Sequence, residues 1–167
     1  LDSCVLLHAL IQAKKTLPFD LQVMHIHHGL SQHADEWAQF CTTLCQHHKL
    51  PLKVVRVQVD KKSGLGIEAA ARKVRYEALL KGYFDGLMLA QHQDDQAETF
   101  LLQLLRGAGL KGLSAMARYD ADTQIIRPFL DISRREIERY ANYAQLSWVE
   151  DESNSDTSFD RNYCRHV

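Results

Sequence analysis

Two adjacent carboxylates, Asp94 and Asp95, stand between His92 and Glu98 in the stretch Gln91-His92-Gln93-Asp94-Asp95-Gln96-Ala97-Glu98-Thr99-Phe100. Ionised acids placed side by side repel each other, and a cation between them, such as Mg²⁺ carried by a nucleotide, relieves that cost. A blander explanation covers part of the pattern. Asp95 followed three positions later by Glu98 is close to a capping box, and acids favour a helix N-terminus in any case. Capping accounts for one Asp and one Glu. It leaves the convergence of His92, Asp94, Asp95 and Glu98 on one helix start unexplained.

The elements around these residues set where such a group would sit. Before it runs Gly86-Leu87-Met88-Leu89-Ala90, with the length and bounds of a buried strand; after it, Ala97, Phe100, Leu101, Leu104 and Leu105 recur with helical period. The acids therefore lie at a strand's carboxyl end, where ligands bind in open parallel α/β sheets. The rest of the chain alternates in the same way. Helices are expected at about 3–15, 34–48, 66–81, 95–106 and 133–144, the last opened by the Ser133-x-x-Glu136 capping box. Strands are expected at 21–26, 53–59, 87–90 and 124–126. Repeated β-α-β units predict an α/β, Rossmann-like fold, an open parallel sheet with helices on both faces. The opening helix has no strand before it, so residues upstream of Leu1 are expected. Gly107, Gly109 and Gly112 predict a loop from Arg106 to Met116.

Bulk properties exclude more than they select. A chain of 167 residues suits one α/β domain, and 46% apolar with 25% charged residues is the balance of a water-soluble protein. With no membrane-length apolar run and no signal-peptide pattern, a cytoplasmic location is expected. Cys4, Cys41, Cys45 and Cys164 include no Cys-x-x-Cys. Cys41 and Cys45 share a helix face near His48, but a zinc site there lacks an evident fourth ligand. The formal net charge of −1 gives no electrostatic indication of a nucleic-acid partner.

Other stretches carry weaker signals. Leu1-Asp2-Ser3 opens an apolar helix. Asp or Ser there reads as an ordinary N-cap, or as the end of an anion-binding turn at a helix start. His25-Ile26-His27-His28-Gly29-Leu30 closes the first strand of the chain, with histidines and a glycine placed to meet a ligand or simply to end the strand. From Gly66 to Tyr76 a two-faced helix is expected. Ile67, Ala70, Ala71, Val74 and Ala78 form its apolar stripe, with Glu68, Arg72, Arg75 and Tyr76 opposite. That polar face is a solvated one with a Glu68–Arg72 pair, or one that meets phosphate. The tail from Trp148, including Glu150-Asp151-Glu152-Ser153-Asn154, Asp160-Arg161-Asn162 and Arg165, reads as exposed loop.

Taken together these stretches resemble the tRNA(Ile)-lysidine synthetases of the PP-loop ATP pyrophosphatase superfamily. Leu1-Asp2-Ser3 matches the last three positions of the signature Ser-Gly-Gly-x-Asp-Ser. His27-His28-Gly29-Leu30, the Gly66–Tyr76 helix, His92 to Thr99, Arg106-Gly107-x-Gly109-x-x-Gly112-Leu113 and Asp160-Arg161-Asn162 follow in the family's order. The resemblance implies a PP-loop catalytic domain over 1–167, with 131–167 as its C-terminal extension and further tRNA-binding domains outside this chain. It implies ATP and Mg²⁺ as cofactors, and tRNA(Ile) with a CAU anticodon and free L-lysine as partners. Oligomeric state stays open, a homodimer being one option, and no membrane is involved.

The implied reaction adenylates C2 of the wobble cytidine, releases pyrophosphate, and lets the lysine ε-amine displace AMP. Asp2, Arg72 and Asp95 are then the expected catalytic residues, Asp95 and Glu98 receive lysine, and Asp2, Ser3, His27, His28 and Gly29 bind nucleotide. Arg75, Arg106 and Arg161 meet tRNA or phosphate, and Asp2 and Asp94 hold Mg²⁺. The Ser-Gly-Gly portion of the signature is not in the sequence. Two alternatives stay open: a PP-loop enzyme that thiolates cytidine or uridine, which the lack of Cys-x-x-Cys disfavours, and a nucleotide-binding module without catalysis.

Overall fold

The computed structural model describes residues 1–60, 64, 66–82, 84–109, 112 and 114–150. They follow the expected alternation: α1 (Asp2–Ala13), β1 (Val23–His27), α2 (Ala34–His47), β2 (Leu52–Arg56), α3 (Ile67–Leu80), β3 (Leu87–Met88), α4 (Gln93–Leu105), β4 (Tyr119–Asp120), β5 (Ile125–Ile126) and α5 (Arg134–Tyr143). This is an α/β fold with parallel strand pairing flanked by helices. The antiparallel β4 was not expected from the sequence, because two residues are too few to show a period. The chain divides into two compact units, one of residues 1–13 and 85–167, the other of residues 14–84.

In the unit of residues 14–84, β1 and β2 pair in parallel from Val23↔Leu52 to His27↔Arg56. That register sets His27 beside Arg56 at the carboxyl ends of the two strands. Ala34, Ala38 and Cys45 of α2 and Ala70 and Leu79 of α3 are buried. Ile67 is 43% exposed and so stands outside the stripe assigned to it from sequence. It is the first residue of α3, just past the Gly66 N-cap. Gly66 itself has φ +81, in the left-handed region that glycine enters at little cost.

In the other unit, β3 pairs in parallel with β5 (Leu87↔Ile125), and β4 runs antiparallel beside β5. Backbone bonds carry the pairing one step further, from Leu89 N–H to Ile126 O at 2.9 Å. The core here joins Val5 and Leu6 of α1 to Phe129, Ile137 and Ala141, with Leu10, Ala90, Ile132 and Trp148 against it. Packing of α1 on α5 is what brings the starts of these two helices to the end of β3. At α5 the sequence signal holds atom by atom. Ser133 accepts the Glu136 N–H, while Glu136 accepts both the N–H and the hydroxyl of Ser133. Those bonds, the hydroxyl's foremost, hold the Glu136 carboxyl below its usual range.

The apolar run of α4 does not face the core: Phe100 is 41% exposed, Leu104 51% and Leu105 79%, whereas Glu98 is 3% exposed. The helix turns its polar start inward, and that start is where the candidate site lies.

Candidate active site

The hub of the unit formed by 1–13 and 85–167 is His92, 2% exposed and in extended conformation just before α4. Three carboxylates surround its ring. Nε2 lies 3.5 Å from Asp95 Oδ2 and 3.9 Å from Asp2 Oδ2, and Nδ1 lies 3.9 Å from Asp94 Oδ1. Asp2 and Asp95, 93 residues apart in sequence, thus meet at one nitrogen. Helix α4 begins at Gln93, two residues before the expected start, and the capping relation shifts with it. Asp95, at the third helical position, accepts the His92 N–H at 3.0 Å. The spacing Asp95–Glu98 suggested a box one turn later. Glu98 is instead buried, one turn further along α4.

Asp2 is not the N-cap. The first helical bonds of α1 go from Cys4 and Val5 N–H to Leu1 O, so Asp2 and Ser3 occupy the first turn. Asp2 Oδ1 is buried and has no hydrogen-bond partner among the described residues. A buried carboxylate oxygen without a donor is costly, and a cation or an N–H from a ligand satisfies it. Asp94 is half exposed; its Oδ1 accepts the Arg134 N–H at 3.4 Å, and the Arg134 guanidinium lies 3.6 Å from Asp2 Oδ2. Arg134, an unspecified position inside the Ser133-x-x-Glu136 box, was not among the candidate site residues read from sequence. A second contributor missed there is Arg127, buried after β5. It donates to Gln91 Oε1 at 2.6 Å and to Ala117 O at 2.8 Å, fixing the residue before His92. A bare Arg after a short apolar pair carries no signal that would have found it. Arg106, at the end of α4, is exposed.

The unit of residues 14–84 gathers the remaining candidates. His27 is buried, with Nε2 3.1 Å from Asp35 Oδ1 and 3.3 Å from Arg56 Nη1. The Arg56 guanidinium, 2.7 Å from Asp35, lowers that carboxyl below the usual range, with His27 adding to the effect. Arg75 Nε donates to His28 Nε2 at 3.3 Å, tying α3 to the end of β1. Arg72 donates to the Tyr76 hydroxyl, and its guanidinium lies over the Tyr76 ring, 5.0 Å from the centroid. Gly29, at φ +65, makes the turn after His28, and a Cβ there would meet nothing within 4 Å. Its glycine therefore serves the left-handed turn; the described structure shows no close backbone approach. His25 is pushed down from its ordinary value by burial first, then by His27 and Arg75, and its Nδ1 lies 3.5 Å from Cys41 Sγ. Among the described residues no three His, Cys, Asp or Glu side chains are grouped to hold a metal ion by themselves. Arg161 and Cys164 lie outside the described residues.

A family model described as the PP-loop domain matches residues 1–167. The chain belongs to that family. Membership implies use of ATP. The tRNA(Ile)-lysidine synthase of Shigella flexneri is 51% identical over 170 residues, covering 99% of this chain and 39% of that protein. The enzyme of the same name from Nitrosomonas europaea is 45% identical, covering 99% and 37%. This PP-loop chain therefore spans about two fifths of the length of the curated relatives it matches. Among solved structures, the U34-tRNA thiolase NcsA from Methanococcus maripaludis, with its 4Fe-4S cluster, superposes with a TM-score of 0.75. It is 16% identical, over 99% of this chain and 61% of that one. At that identity the likeness shows the fold alone.

Proposed function

We propose that this chain is the PP-loop catalytic domain of a tRNA(Ile)-lysidine synthase, covering 1–167 with 131–167 as its C-terminal extension. It joins free L-lysine to C2 of the wobble cytidine of tRNA(Ile) bearing a CAU anticodon. The observation that carries this reading is the meeting of Asp2 with Asp94 and Asp95 around His92. A residue at the start of α1, which this reading assigns to phosphate, and the paired acids at the end of β3 share one small volume. The names of the similar proteins support the choice of reaction.

In the first step the cytidine C2 oxygen attacks the α-phosphorus of ATP and pyrophosphate leaves. Charge builds on the leaving group, and the N–H groups of the first turn of α1, at Asp2 and Ser3, would receive it. Asp2 fits a Mg²⁺ ion, because its Oδ1 is buried and lacks a donor, with Asp94 as the second carboxylate. Mg²⁺ takes one or two carboxylates and completes its shell with phosphate and water, where it would neutralise phosphate charge. His27, His28 and Gly29 are assigned to the nucleotide, Arg72 to the α-phosphate or the activated base, and Arg75, Arg106 and Arg161 to the RNA or its phosphates.

In the second step the ε-amine attacks C2 and AMP departs. Asp95 and Glu98 receive the ammonium group of lysine, and a carboxylate beside it takes the proton that makes the amine nucleophilic. The protein would act where tRNA is modified, in the cytoplasm; no helix among the described residues is long and apolar enough to cross a membrane. Incubation with tRNA(Ile), ATP and isotope-labelled lysine tests the reading. Label recovered in a modified cytidine supports it. Incorporation of sulfur from a sulfur donor, with none of lysine, would replace it with thiolation.

A further inference from the structure

We propose that Arg134 is a phosphate ligand, whose guanidinium exchanges Asp2 for the pyrophosphate end of bound ATP. The inference rests on the reading above in one respect, that the start of α1 is where the phosphates lie. Charge is the first argument. Asp2, Asp94 and Asp95 all approach His92 within 4 Å, and Glu98 is buried one turn further along α4. A triphosphate brings several more negative charges to this acidic place. The Arg134 guanidinium reaches it, 3.6 Å from Asp2 Oδ2.

How Arg134 is held is the second argument. Its backbone is fixed, because Ser133 caps α5 and the Arg134 N–H points at Asp94 Oδ1. Its side chain is held at one partly exposed point, Nε on Glu138. The guanidinium is 3.6 Å from Asp2, beyond hydrogen-bond reach, and its closest contact is Nε to Glu138 Oε1 at 3.1 Å. With 39% of that side chain exposed, little is lost when it turns. A planar guanidinium binds two phosphate oxygens at once, a better match than one distant carboxylate oxygen. The departure of Arg134 also leaves Asp2, whose Oδ1 already lacks a donor, open to a cation. The competing explanation is that Arg134 only ties α5 to α1.

Calorimetric titration separates the two, using the protein with its native flanking residues, magnesium pyrophosphate as one probe and free L-lysine as the other. Arg134→Gln should weaken pyrophosphate binding about tenfold, as loss of a charge-assisted pair does, with lysine affinity unchanged. Arg134→Lys should recover part of the loss. Glu138→Gln keeps Arg134 and removes its competitor, so pyrophosphate should bind more tightly. Unchanged pyrophosphate affinity in Arg134→Gln overturns the proposal, as does equal weakening of both probes with a lowered Tm. Should Arg134→Gln fail to fold, Glu138→Gln decides, and unchanged affinity there is refutation. Wild-type protein that binds no pyrophosphate would take the proposed function down too; normal wild-type binding with an indifferent Arg134→Gln removes this inference alone.

Discussion

At the residue scale, one carboxylate can have a structural bond and a chemical role together. Asp95 accepts the His92 N–H and so sets the angle at which the chain enters α4, while its Oδ2 faces the ring that also meets Asp2. The sequence made the adjacency of the acids plain but misplaced the cap, because spacing rules apply only once the first helical residue is known. Glu98 looked like a cap partner and is a buried acid one turn further along α4. In the other unit, Asp35 gives a pH test. Its folded-state pKa is depressed, chiefly by the hydrogen bond from Arg56. The stability it contributes is therefore present above the ordinary aspartate range and lost as pH falls through the depressed value. Arg56→Gln should lower Tm at neutral pH, and thermal scans should show the gap to wild type closing below about pH 4. A gap that persists unchanged in acid would mean that Arg56 acts through packing.

At the element scale, periodicity identified every helix described, and α2 to within a residue, yet it did not say which side of α4 faces in. Ala97, Phe100, Leu101, Leu104 and Leu105 repeat as a buried stripe would, and the structure leaves them outward. The inward side is taken by Asp95 and Glu98, so the apolar period alone does not say which face of this helix is buried. Leu105→Gln should consequently change stability by no more than about 0.5 kcal/mol, the surface range, where a core leucine would cost several times that. Ile137→Ala makes the contrast. At 1% exposure, in the core that joins α5 to α1, it should lose about 2–5 kcal/mol in urea denaturation. A large loss at Leu105 or a small one at Ile137 would invert the assignment of faces. The strands were less legible than the helices. β3 and β5 are two residues each, and β4 gave no signal at all.

At the scale of the whole molecule, the sequence could place its motifs in order along the chain but could not bring them together. Asp2 and Arg134 are 132 positions apart and meet because α1 and α5 share a core, a tertiary fact without a local signature. The net charge of −1 likewise says nothing about RNA, so under the proposed function recognition would rest on particular arginines rather than on an overall basic field. The central claim is that the two chemical half-reactions use different members of one cluster, Asp2 for the phosphates and Asp95 for lysine. Time-resolved pyrophosphate release with tRNA(Ile), with and without lysine, measures this most directly in wild type, Asp2→Ala and Asp95→Asn. The account predicts that Asp95→Asn, whose amide oxygen still accepts the His92 N–H, folds normally and releases pyrophosphate from its first turnover. It should form lysidine at least about a hundredfold more slowly, whereas Asp2→Ala loses both steps. Lysidine formation at the wild-type rate in Asp95→Asn would contradict the account.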